Sequence, residues 1–147
     1  MTSESIARVQ ASHGQVTQDA RALSSRFYAE LFAAAPGLRH LFPQDLTSLQ
    51  GHFEAALALV IRNLDEVVAL EPSLRGLGAQ HVGWGARPVD YVVARNALVA
   101  AIRSRAGEWS EPLEADWRRA ITAIIVPMLH GAAVETALAA ELLSAEL

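Results

Sequence analysis

One imidazole and two phenols stand at positions in this sequence from which their chemistry can converge. His81 closes the run Leu77-Gly78-Ala79-Gln80-His81, Tyr91 follows it, and Tyr28 lies far upstream in the run Phe27-Tyr28-Ala29-Glu30-Leu31-Phe32. A neutral imidazole at a helix end is a nitrogen donor for a metal, and its second ring nitrogen can be held by a carbonyl one turn back, here that of Leu77. A phenol in an apolar wall donates a hydrogen bond to a small polar or partly anionic ligand. The ordinary readings are a helix-end histidine facing solvent or core, and tyrosines packed on an amphipathic stripe with backbone satisfying their hydroxyls. His13, His40 and His130 lie in separate regions and form no metal-ligand spacing. The chain has no cysteine, which excludes disulfides, thiolate metal sites and cysteine nucleophiles. Ser24 and Ser25 belong to no hydrolase signature, and the glycines between Gly78 and Gly85 follow no strand that would make a phosphate loop.

The elements that must position these residues are helical. Apolar residues recur at separations of three and four, and no segment alternates with period two, so the pattern is all-α. A length of 147 residues fits one domain able to enclose a cofactor as well as a core. The expected helices run from Glu4 to Gly14, from Thr17 to Ala35, over a short Pro36-started turn that delivers Leu38, Leu41 and Phe42, and from an Asp45 or Thr47 cap to Leu64. Pro72 then starts a short helix ending near His81, Pro88 and Asp90 head one that reaches Arg105, and Ser110 with Pro112 opens the last, anchored by Trp117. Pro127 is expected to kink or end that helix, because an interior proline removes one backbone bond and clashes with the preceding turn. Residues 132–147 read as a helical continuation or as a tail that docks on a partner.

In order and separation, Tyr28, Pro36, Phe42, His81 and Tyr91 resemble the globins, over a stretch from about Ser5 to His130. Within that family the resemblance lies nearest to bacterial single-domain haemoglobins and to the globin domain of flavohaemoglobins. It implies a globin fold of roughly six to eight helices around a haem pocket, with haem b (iron protoporphyrin IX) as cofactor and His81 as the metal ligand. It further implies that Phe42, Leu49, Phe53, Leu77 and Tyr91 line the haem and that Tyr28 donates to the bound gas. The separation such globins keep between distal gate and proximal histidine sets Leu49 at the gate; a one-residue slip would bring in Gln50. His52, on the same wall, is a further candidate for iron, although its direction favours a propionate or solvent. Arg39 and His40, beside Phe42, are candidates for a propionate. Gly76 and Gly78 would let backbone lie close to the ring. Where flavohaemoglobins carry a glutamate that pairs with the tyrosine at position 91, this chain has Ala132, with Glu135 the nearest acid.

The implied function is reversible binding of dioxygen and nitric oxide, with conversion of nitric oxide to nitrate if a separate reductase returns the iron to the ferrous state. The alternative is a haem-based gas sensor or interaction protein that signals through residues 132–147 or a homodimer face, beyond a globin domain over 1–131. All 12 basic residues are arginine and the net charge is -4, which offers no broad cationic surface for nucleic acid. The start, Met1 to Ser5, is not a leader, and the charge-free stretch Ala120 to Gly131 is too short to span a bilayer. These features set the expectation of a cytoplasmic protein.

Overall fold

A computed structural model describes residues 1–146. Six α-helices follow one another: α1 (Ser3–Val16), α2 (Ala22–Ala34), α3 (Thr47–Arg62), α4 (Glu71–Gly83), α5 (Pro88–Arg105) and α6 (Glu111–Glu146). Two 3₁₀ segments, Pro36–Leu41 and Leu64–Leu70, fill the connections on either side of α3. No strand occurs among the described residues.

Local chemistry accounts for most boundaries. Thr2 Oγ1 accepts the Ser5 N–H at 3.1 Å to open α1, Asp45 Oδ1 accepts the Thr47 N–H at 3.0 Å to open α3, and Asp90 Oδ2 accepts the Arg87 N–H at 2.8 Å to open α5. Ser110 Oγ does the same for Leu113 at 3.2 Å in α6. Thr17 ends α1, its hydroxyl donating to His13 O at 2.7 Å, and α2 begins only after Arg21, whose φ of 68° turns the chain. The second helix is therefore shorter at its start than the sequence pattern implies. Gly85 closes α4 with a φ of 93°, while the Ala86 N–H bonds back to His81 O at 2.9 Å.

Two glycines set the central crossing. A Cβ on Gly78 of α4 would lie 1.9 Å from Met128 O of α6, and one on Gly131 of α6 would lie 1.9 Å from Arg75 O of α4. The two backbones thus meet directly, and Gly78 is needed for this helix crossing. It does not face a flat ring, and Gly76 has open space around it. The rest of the core fills in around Trp117, which is fully buried and donates from Nε1 to Ser12 Oγ of α1 at 2.9 Å. Asp116, also buried, accepts from Arg8 Nε at 2.7 Å and ties α1 to α6 a second time.

Pro127 does not end α6, which continues to Glu146. Residues 132–146 are thus a helical continuation; residue 147 lies outside the described residues. Unbroken at Pro127, α6 contains a window between Glu111 and Ser144 long and apolar enough to cross a membrane by length and composition, more than the charge-free stretch alone provides. Its first part is nevertheless a core helix: Trp117, Ala120, Ile121, Met128 and Gly131 are buried.

Gly78→Ala and Gly131→Ala should each destabilise the fold by about 2–3 kcal/mol through overpacking, whereas Gly76→Ala should be neutral or stabilising by about 0.5–1 kcal/mol. Chemical denaturation checks this contrast; equal effects at Gly76 and Gly78 would contradict it.

Candidate functional site

Although adjacent in sequence, α3 and α4 are not among the packed helix pairs: α3 lies on α1 and α2, and α4 on α6. The side chains that the resemblance sets around a haem are less buried than those of the core. Phe42, Leu49, Phe53, Leu77 and His81 are only partly buried, whereas Leu31, Leu57, Val60 and Leu74 beside them are below about a tenth exposed. Partly buried apolar side chains of this kind leave surface that a flat, largely apolar group could cover.

His81 stands near the end of α4. Its Nδ1 lies 2.7 Å from Leu77 O, one turn back. Because a carbonyl only accepts, Nδ1 carries the proton and Nε2 keeps its lone pair. Burial lowers the pKa of His81, the bond to Leu77 offsetting this in part, so the ring is neutral at physiological pH. Trp84 and Tyr91 flank it, with ring centroids 4.9 and 6.1 Å away. Tyr91 is 7% exposed and its hydroxyl is buried without a partner. Backbone does not satisfy it, so this hydroxyl either bears the cost of desolvation or meets a group that is not protein.

On the other side, the aromatic rings form one cluster. Phe53 of α3 stacks on Phe27 of α2 at 4.5 Å with planes 2° apart. Tyr28 lies 6.1 Å from Phe53 and 5.7 Å from Phe42, edge-on to the latter. Burial alone pushes the Tyr28 phenol up to about 12, so the hydroxyl stays a donor at any physiological pH. Leu49 is one turn before Phe53 and packs against the core. The Gln50 amide is instead tied back to α2, Nε2 donating to Ser25 Oγ at 2.9 Å. His52 is exposed.

Arg39 is already committed, since its guanidinium donates to the carbonyls of Phe42, Pro43 and Gln44 at 3.3, 2.9 and 2.9 Å. It shapes the turn after Phe42 and has little left for a propionate, while His40 is exposed. Ala132 is half-buried and Glu135 exposed. Sequence reasoning missed Trp84; its separation of three from His81, one helical turn, was the available signal. It also missed Glu54, whose role depends on a residue thirty positions away.

No group of three or more His, Cys, Asp or Glu able to hold a metal ion exists among the described residues. A lone imidazole does not retain a bare ion, but it suits a metal that brings its own ring of donors. Two surface hollows lie elsewhere, between the start of α1 and α6, near Arg8, Asp116 and Arg119. The three arginines that line them are engaged, Arg8 and Arg119 by Asp116 and Arg118 by Glu114, which makes that network structural.

The family model described as Globin matches residues 25–128. The chain belongs to the globin family. Leghemoglobin-1 of Lupinus luteus is 27% identical to this globin over 135 residues, covering 80% of this chain and 86% of that one. The flavohemoprotein of Bordetella parapertussis is 29% identical over 111 residues, covering 74% of this chain but 28% of its own length. Among solved structures, an engineered carbene transferase described as a putative nitric oxide dioxygenase from Rhodothermus marinus superposes with a TM-score of 0.80 at 25% identity, covering 95% of this chain and 99% of that one. Membership in the family implies haem binding, and the partly buried apolar side chains, the neutral imidazole and the orphan Tyr91 hydroxyl fit such a group.

This globin has two tyrosines, and burial raises the pKa of both. A group whose folded pKa is raised contributes stability that is intact below the unfolded value near 10 and is lost as pH climbs through the folded one. Alkaline titration at 295 nm should therefore show no phenolate step near pH 10 while the fold persists; a full two-tyrosine step there would contradict the burial described.

Proposed function

We propose that this globin holds haem b between α3 and α4 and binds dioxygen and nitric oxide reversibly. The observation that carries the reading is the His81 ring: neutral through burial, with Nδ1 engaged by Leu77 O, it offers Nε2 as an axial donor. When bound, the group would supply the iron at which a diatomic gas attaches and leaves. Phe42, Leu49, Phe53 and Leu77 would exclude water from its faces. Tyr28 would donate its hydroxyl proton to a ligand with partial negative charge, a bond worth about 1.5–3 kcal/mol. With Gln50 tied to Ser25, no amide reinforces that donor.

The proximal side supports binding over peroxidase-type chemistry. His81 leans on a neutral carbonyl with no carboxylate beside it, so the ring passes little extra electron density to a metal. Conversion of nitric oxide to nitrate, the activity suggested by the nitric oxide dioxygenase among its structural neighbours, would need electrons from a reductase. The flavohemoprotein relative, of which this chain spans 28%, makes a flavin-dependent reductase the partner of choice.

A second reading, a gas sensor or interaction protein, has one observation in its favour. Beyond Gly131 the last helix stands in solvent with Val134, Leu138, Leu142 and Leu143 exposed, a face a second copy or a partner could cover.

Haem-loaded protein should show a Soret band that His81→Ala abolishes; a colourless wild type under haem-sufficient expression would end the proposal. Tyr28→Phe should raise the dioxygen dissociation rate about 10- to 100-fold, the kinetic equivalent of the lost hydrogen bond, and an unchanged rate would remove Tyr28 as donor. Deleting residues 132–147 separates the two readings: unchanged gas binding and oligomeric state support simple binding, whereas lost self-association with intact gas binding supports signalling.

A further inference from the structure

We propose that Glu54 is a positioning residue for the gas site, a half-buried carboxylate that clasps α3 to α2 and thereby sets where the Tyr28 hydroxyl stands. The inference rests on the gas-binding role proposed above. Glu54 Oε1 accepts from Ser24 Oγ at 2.7 Å and from the Ser24 N–H at 3.3 Å. Glu54 Oε2 lies 3.5 Å from Arg21 Nη1. Ser24 is fully buried, one turn before Tyr28 on α2, and Glu54 adjoins Phe53 on α3.

Arg21 carries the one positive φ of a non-glycine residue among those described, 68°. Such a conformation persists only where its surroundings over-determine it. The Arg21 guanidinium lies 3.0–3.3 Å from where a Cβ of Gly51 would be, a space that glycine alone leaves open. Gln50 extends the same seam through its bond to Ser25. The exposed Arg21 pair contributes little, so the buried bond to Ser24 is the effective tie.

This tie matters for function because α3, whose Leu49 and Phe53 are proposed to line the haem, packs mainly on α1 and α2 and not on α4. Its place relative to Tyr28 is set by the stacking of Phe53 on Phe27 and by this clasp. Stacked rings slide at small cost, whereas a short hydrogen bond to a buried hydroxyl fixes distance and direction. A donor hydrogen bond to a bound gas weakens steeply with misalignment, so a loosened α3 would be read at the ligand.

The test uses haem-loaded protein, with carbon monoxide as the probe of distal polarity and dioxygen dissociation as the rate. Glu54→Ala and Ser24→Ala each remove the buried bond, and Ser24→Ala is conservative enough to fold if the first does not. Both should broaden or shift the carbon monoxide stretching band and raise the dioxygen dissociation rate by about threefold or more, while Glu54→Gln, which keeps an acceptor for Ser24, should restore both. Unchanged bands and rates in a folded Ser24→Ala protein would overturn the proposal, as would Glu54→Gln behaving like Glu54→Ala. A wild type that takes up no haem would overturn the functional reading and this inference with it, which distinguishes the two failures.

Discussion

The contact on which the site depends is one of backbone against backbone. At Gly78 and Gly131, α4 and α6 approach so closely that a methyl group on either would strike the other's carbonyl. α4 has thirteen residues and makes no packed contact with α3, so its orientation comes from this crossing. In the role proposed for it, His81 would need such rigidity, because a donor that drifts by about an ångström forfeits its bond. The same helix ends in a turn at Gly85, against which Leu41 packs, joining the segment before Phe42 to the chain after His81.

Around that frame the polar groups are few and their states are set by burial. His81 is kept neutral and Tyr28 kept protonated by the same desolvation, which lowers one pKa and raises the other. His81 therefore offers a lone pair and Tyr28 an O–H, each set among apolar side chains. Charged side chains near the site, Arg39 and Glu54, are engaged in holding turns and helices in place. The division of labour is plain: charge builds the walls, and neutral donors face the interior.

Helix content and the order of elements were legible in the sequence because a period of 3.6 residues and the cap residues are local signals; Pro88 and Arg105 bound a helix as the pattern implied. Four features were not, for physical reasons. Gly78 looked like room for a ring, but the reason for a glycine lies on whichever surface meets it, here Met128. The start of α2 hinged on a left-handed arginine, a backbone conformation that residue type alone does not signal. Continuity through Pro127 is a tertiary outcome, since neighbouring helices offset the lost bond. Arg39 looked free for an anion until the turn it braces was visible. The family resemblance supplies the roles proposed for Tyr28, Leu49 and His81; the expected Leu77 carbonyl lies 2.7 Å from His81 Nδ1, and the structure adds the tether on Gln50 and the unpartnered Tyr91 hydroxyl.

The central claim is a single axial bond from the imidazole at position 81. A crystal structure of the haem-loaded globin tests it most directly. The account predicts iron bonded to His81 Nε2, Nδ1 still within hydrogen-bond distance of Leu77 O, and the Tyr28 hydroxyl on the opposite face. Iron held by His52 or another side chain, or a His81 ring turned to solvent beside bound haem, would contradict it.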